Sequence, residues 1–323
     1  MKKYLKYLLL LYLLIPISVF AYSDYIIASG KNIGIELKSN NIIIVGSYPI
    51  ENYNPLIETD LRVGDKIIKI NDYEITSSKS LQDVINQINT DNILVTYRRN
   101  NNDYETNLKL HKENGEYKTG LYVRDTIRGV ATLTYIDTAN NTFGALGHEI
   151  LEKSTKSRFE SDTGTIFRSI VTGITKSNDG NPGEKNANSN SNEVYGTVAE
   201  NTGSGIFGTY TAALPKTKMY KVAKPEEIKT GKAEILTVIE GEQVESFEIN
   251  ILKINNASNS KNILFEVTDE NLLNKTGGII QGMSGSPIIQ DDNIIGAVNF
   301  VVVDKTNKGY GIFITTMLEE AEN

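Results

Sequence analysis

Gln281-Gly282-Met283-Ser284-Gly285-Ser286-Pro287 leads into Ile288-Ile289, and after Asp291-Asp292-Asn293 the chain returns through Ile294-Ile295. Two short apolar runs around a polar triplet read as an antiparallel hairpin. Ser284 then falls in a glycine-rich bend just before a buried strand, and Pro287 stiffens the exit. Such a bend can hold a hydroxyl out into a cleft. Glycine at 282 lets its N–H turn toward the same point as the N–H of Ser284, and two convergent donors beside a hydroxyl form an oxyanion hole. A serine nucleophile needs a base, and the chain has only two histidines. One of them, His148, ends the run Phe143-Gly144-Ala145-Leu146-Gly147-His148. Taken singly, each feature has a plainer reading. A Gly-x-Ser-Gly bend occurs in inert turns, and a histidine after a glycine turn is often packed or capping.

Outward from this bend the strand signals multiply. Ala131 to Tyr135, Ile166 to Val171, Glu193 to Val198, Ala233 to Val238, Glu245 to Ile251, Ile263 to Val267, Ile294 to Val298 and Gly311 to Ile314 are short apolar or alternating runs. Turns between them are rich in Asn, Gly and Asp, and long amphipathic helices are absent. The pattern predicts a mostly β unit over residues 118–323, an antiparallel barrel or sandwich. The polar stretch from Lys176 to Ser191 reads as an exposed loop.

Residues 25–112 have a different rhythm. Gly34 to Leu37 and Ile42 to Val45 read as strands joined by a turn at Ser39-Asn40-Asn41. Lys66 to Ile70, Tyr73 to Ile75, Ile93 to Tyr97 and Thr106 to Leu110 read as further strands. Leu81, Val84, Ile85 and Ile88 recur at helical spacing, with Ser78 or Ser80 as cap and Ser80-to-Asp83 as a capping-box spacing. The expectation is an α+β domain ahead of the β unit.

Residues 1–23 open with Lys2, Lys3 and Lys6, continue apolar from Tyr7 to Ala21, and place Val19 and Ala21 as small residues for a cleavage site. This is a signal peptide or membrane anchor, and it implies export of the rest of the chain. Net charge is −7, and no basic field or nucleic-acid motif is present, so no nucleic-acid partner is expected. Cysteine is absent, which excludes disulfides and thiolate chemistry. His148-Glu149 is followed by Ile150-Leu151-Glu152 and not by a second histidine, so no zinc motif and no cofactor or metal are expected.

The N-terminal domain resembles a PDZ domain, most closely over Leu61-Arg62-Val63-Gly64-Asp65-Lys66-Ile67-Ile68-Lys69-Ile70-Asn71. The resemblance implies peptide binding by strand addition, with the backbone around Ile33, Gly34 and Ile35 holding a C-terminal carboxylate. A groove occupied from within the protein is the alternative. The chain from Thr268 to Pro287, with Phe143 to His148, Asp162-Thr163-Gly164, Pro182-Gly183-Glu184, Gly205 to Gly208 and Gly309-Tyr310-Gly311, resembles the sporulation stage IV B serine peptidase family. That family joins a PDZ domain to a peptidase domain grouped with chymotrypsin-like β-barrel proteases. The resemblance implies Ser284 as nucleophile, His148 as base, Asp269 as the third member, and the N–H groups of Gly282 and Ser284 as the oxyanion hole. Asp162 and Asp137 compete for the acid's role, and Asp269 or Thr268 can equally cap a helical turn. This chain departs from the family pattern at Glu149, where a small residue is usual, and at Asn299-Phe300, where Thr-His is common. The implied function is a serine endopeptidase of sporulation signalling in endospore formers. It would be exported across the forespore membrane into the intermembrane space, cleaving itself between the apolar segment and Gly34 and a membrane-associated regulator of a membrane-embedded protease. The alternative is an inactive PDZ-type peptide-binding scaffold at the same membrane.

Overall fold

In the computed structural model residues 22–322 are described, so the signal or anchor segment lies, up to residue 21, outside the described residues. The first part runs β1 (Tyr25–Ala28), β2 (Asn32–Ser47), α1 (Pro55–Glu58), β3 (Lys66–Ile70), β4 (Tyr73–Glu74), α2 (Ser78–Gln87), β5 (Asn92–Arg99), β6 (Asn102–Lys109), β7 (His111–Glu113) and β8 (Glu116–Lys118). The second runs β9 (Leu121–Asp137), β10 (Thr142–Ala145), β11 (Thr163–Thr175), β12 (Glu184–Thr202), β13 (Gly205–Tyr210), β14 (Met219–Val222), β15 (Gly231–Val238), β16 (Val244–Ile254) and β17 (Ile263–Val267). It ends with α3 (Glu270–Thr276), β18 (Pro287–Gln290), β19 (Asn293–Val301), β20 (Lys308–Phe313) and α4 (Ile314–Glu320).

The architecture is mostly β: a PDZ-like subdomain and a large sheet system that is antiparallel except for the parallel pair β14–β19. In the subdomain α2 lays Leu81 and Ile85 onto a core with Ile42, Ile44, Ile67, Ile70, Val95 and Leu108. Its cap is Ser77, which exchanges hydrogen bonds with Ser80, and not Ser78 or Ser80 paired with Asp83. The spacing signal was right, but the hydroxyl that reaches the N3 amide lies one residue earlier.

Two further expectations change. The Ser39-Asn40-Asn41 turn is absent: β2 runs unbroken through it and absorbs the polar residues in a register shift between Lys38 and Ile43. Its first half, Ile33 to Lys38, pairs with β9 on one edge and β11 on the other. Its second half pairs with β3 and the start of β9. The strand therefore begins in the large sheet and ends in the PDZ-like subdomain, and β9 makes the return trip. The second change is at residues 176–191. Its second half, from Glu184, is the start of β12, laddered along β11 from Glu184↔Thr175 to Val198↔Gly164. Polar residues form a strand here because the hairpin exposes many of its side chains while its backbone groups are satisfied by the ladder.

The large sheet system closes around two main cores. One holds Ile33, Ile35, Leu133, Phe143, Ile166 and Ile206; the other holds Ile235, Phe247, Ile249, Phe265, Leu272 and Met283. The hairpin at Asp291-Asp292 is as expected, with φ of 50° and 63° at those two residues, the left-handed pair that a tight two-residue connection requires.

Candidate active site

The bend between α3 and β18 is a set of short backbone turns. Met283 N–H donates to Ile280 O at 3.1 Å, Ser286 N–H to Met283 O at 2.9 Å, and Gly285 N–H to Val298 O at 2.7 Å. Gly282 and Gly285 have φ of +94° and +91°. At Gly285 the requirement is double, because a Cβ there would collide with the Thr132 carbonyl and the Leu146 amide. Met283 anchors the bend in a core at 0% exposure. Among the described residues, neither the Gly282 nor the Ser284 N–H is engaged in a hydrogen bond. The Ser284 hydroxyl donates to the Asn299 carbonyl at 3.2 Å.

Strand β9 fastens this bend from below. Thr132 N–H donates to Ser284 O at 3.0 Å, and the Thr132 hydroxyl donates to Gly282 O at 2.8 Å. The Thr134 hydroxyl donates to Gly285 O at 2.8 Å. These three bonds hold the carbonyls on either side of the serine, each contributing about 1 kcal/mol net. Thr132 O also accepts the Leu146 N–H at 3.4 Å, so one residue touches both the serine bend and the turn that carries the histidine.

That turn passes through left-handed Leu146 and Gly147, φ +71° and +75°, and delivers His148. Its Nδ1 lies 2.8 Å from the Glu149 carbonyl. A carbonyl only accepts, so the proton sits on Nδ1 and Nε2 keeps its lone pair, the tautomer a general base needs. Burial holds the imidazole pKa below its ordinary value, and the Glu149 carbonyl opposes that shift. The ring is therefore neutral near pH 7. It stacks on Phe300 with centroids 5.4 Å apart. His148, Ser284, Asn299 and Phe300 line one cleft of about 410 Å³, whose other walls include Leu151, Ile279 and Ile280.

The other expected members lie elsewhere. Asp269 is the N-cap of α3: its carboxylate accepts the Leu272 N–H at 2.9 Å and its own N–H donates to Glu248 O. It does not line the cleft. Asp162 accepts from the Asn40 N–H, and Asp137 from Ser23 and Ala139. Ile33, Gly34 and Ile35, expected at a peptide groove, have neighbouring strands on both edges. A strand already paired on both sides has no free ladder to offer an added peptide. The departures from the family pattern, by contrast, fall in the site itself: Glu149 supplies the carbonyl on His148, Asn299 the acceptor for Ser284, and Phe300 the stacking face. Thr132 and Thr134 had no functional signal in the sequence beyond the alternation of a strand. Among the described residues, no group of His, Asp and Glu side chains has the arrangement of a metal site.

Residues 115–318 match the family model of the SpoIVB peptidase S55, and residues 32–110 match that of the PDZ domain. No curated protein matches the chain. Among solved structures the chain is similar to the PDZ domain of an SdrC-like protein from Listeria monocytogenes. Identity is 18%, covering 26% of this chain and 87% of that one, with a TM-score of 0.23. It is also similar to the Rv3671c protease of M. tuberculosis. For the active form identity is 13%, covering 59% of this chain and 71% of that one, with a TM-score of 0.33. For the inactive form the values are 15%, 60%, 85% and 0.31.

Proposed function

The chain belongs to the SpoIVB peptidase S55 family, and from that premise we propose that it is a serine endopeptidase acting through an acyl-enzyme at Ser284. The observation that carries the proposal is that Ser284 and His148, 136 positions apart (284 − 148), line one cleft. His148 Nε2 takes the proton as Ser284 Oγ attacks the scissile carbonyl. The free N–H groups of Gly282 and Ser284 receive the oxyanion, a type of contact worth about 3 kcal/mol per donor. The protonated ring then gives its proton to the leaving amine, and water, activated by the same ring, releases the acyl group. For this the Ser284 hydroxyl turns from Asn299 O toward the ring. The two cores, one on the histidine side and one on the serine side, support a chymotrypsin-like arrangement of the peptidase domain.

The cleft walls favour an apolar side chain beside the scissile bond, because Leu151, Ile279, Ile280 and Phe300 offer it burial, with Glu149 the one carboxylate residue in the lining. The family context supports a role in sporulation signalling after export, with a membrane-associated regulator as substrate. Self-cleavage near the N-terminus belongs to the same reading. Its window lies between the apolar segment and Gly34, where Asp24 and Tyr25 are exposed while Ile26 to Ala28 and Asn32 to Gly34 are buried in sheet. A fluorophosphonate probe tests the assignment. It should label Ser284 in the wild type, fail on Ser284→Ala, and react far more slowly with His148→Ala. An unlabelled wild type that still binds peptide tails would favour the inactive scaffold.

A further inference from the structure

Directly behind the serine bend lies a lysine that the mechanism above does not use. Lys185, at the start of β12, has 6% of its surface exposed. Its N–H donates to Gln281 O at 2.9 Å, which brings it alongside the residue before Gly282. Its stem runs across Gly282 so closely that a Cβ there would lie 3.1 Å from two of its carbons. Its Nζ reaches two threonine hydroxyls, Thr237 at 2.9 Å and Thr132 at 3.3 Å.

Donor counting decides what state this amine is in. The Thr132 hydroxyl spends its proton on Gly282 O, so it accepts from Nζ. Two hydroxyl acceptors satisfy the two N–H bonds of a neutral amine; an ammonium has three donors and leaves one unmet. A buried ammonium also needs a counter-charge. From β9 the amine is faced by Thr132, from β15 by Thr237 and from the serine bend by Gly282. No carboxylate, imidazole or second cation of these elements acts on it, and burial alone pushes its pKa down to about 7.

We infer that Lys185 is a positioning residue for the nucleophile: as a neutral amine it holds Thr132, and through Thr132 the Gly282 and Ser284 carbonyls, and its protonation loosens them. Protonation introduces a donor and a charge that the pocket cannot satisfy. The groups that must yield to admit water or a new acceptor are those that fix the bend. Proteolysis would then carry an acid limb that belongs to an amine behind the nucleophile and is separate from the imidazole limb.

The inference rests on the peptidase reading, and the experiment separates the two. The rate of Ser284 labelling by a fluorophosphonate is measured from pH 5 to 9 in the wild type and in Lys185→Met, and the wild-type Lys185 ¹³Cε resonance is titrated alongside. The wild-type rate should fall tenfold per pH unit below about 7, and the resonance should titrate with that midpoint. Lys185→Met should label about tenfold more slowly at its best pH, with its acid limb moved down to that of His148 alone. Superimposable wild-type and Lys185→Met profiles, or a resonance that titrates above pH 10, overturn the inference and leave the peptidase reading standing. No wild-type labelling at any pH defeats the peptidase reading instead. The inference is then decided by the Gly282 and Ser284 amide resonances: movement with the Lys185 titration upholds it, and invariance overturns it. Should Lys185→Met not fold, the wild-type titrations decide alone.

Discussion

At His148 the Glu149 carbonyl does part of what a carboxylate does in a full triad. It fixes which nitrogen carries the proton, but it brings no negative charge to the imidazolium. Asp269, meanwhile, is occupied as a helix cap. The substitution Asp269→Asn distinguishes the two duties, because asparagine caps a helix as well as aspartate does but cannot serve as triad acid. We expect kcat/KM of Asp269→Asn within about threefold of wild type. A loss of ~10⁴ in kcat, the usual effect of neutralising a triad acid, would show that Asp269 swings to the ring during turnover. Asp269→Ala removes the cap and should cost about 1 kcal/mol in urea unfolding. Lys185 makes a prediction about stability as well as rate. Its folded pKa is lowered to about 7 from an ordinary 10.5. Between those values the unfolded chain holds the extra proton, so stability rises with pH by up to about 1.4 kcal/mol per unit, and this contribution is lost as pH falls to 7. Lys185→Met lacks that slope. Its unfolding free energy relative to wild type should be highest at and below pH 7 and should decline toward pH 10.

At the scale of elements, β9 is the member that assembles the site. Alternate residues Thr132 and Thr134 point their hydroxyls to one face, where they meet Gly282 O and Gly285 O. Thr132→Val keeps the shape and removes the hydroxyl, leaving one carbonyl and one amine hydrogen unpaired in a buried place. A loss of about 1–3 kcal/mol in unfolding free energy is expected, with a larger fall in kcat than in KM because the bend is displaced while the cleft walls remain. A Thr132→Val enzyme with raised KM and full kcat would place the residue in substrate binding instead. The bend tolerates no side chain at 285, where Gly285→Ala should abolish labelling of Ser284.

For the whole molecule, the crossing of β2 and β9 between the two parts makes the PDZ-like subdomain an insertion within one hairpin of the peptidase sheet. Lys38 and Thr126 are opposite each other where the hairpin leaves the large sheet. Replacing residues 39–125 by Asn-Gly would close that hairpin with a tight turn in register. The shortened protein should fold and label at Ser284. Failure to fold would mean that the subdomain core is needed to hold β2 against β11. The same topology runs one strand through both parts: Leu121 to Arg124 of β9 lie in the subdomain sheet, and the Thr132 and Thr134 hydroxyls of the same strand donate to the Gly282 and Gly285 carbonyls of the serine bend.

The strands from Ala131 to Val298, the hairpin at Asp291-Asp292, helix α2 and the glycine-rich bends that carry Ser284 and His148 were legible because each is written in contiguous residues. Alternation, turn chemistry, 3.6-residue spacing and glycine placement are local quantities, and the chain carries them before it folds. The continuity of β2 through Ser39-Asn40-Asn41 was not local: β9 and β11 pair with the strand up to Lys38, β3 and β9 pair with it again from Ile42 and Ile43, and the Asp162 carboxylate accepts the Asn40 N–H between them. The same holds above all for Lys185, which sits in a stretch that reads as solvated, whereas the Asp269 cap, whose partner Leu272 is three residues away, was one of the readings the sequence offered. Whether a polar side chain meets water or a buried hydroxyl is decided by which distant strand closes over it, and only the tertiary fold contains that fact.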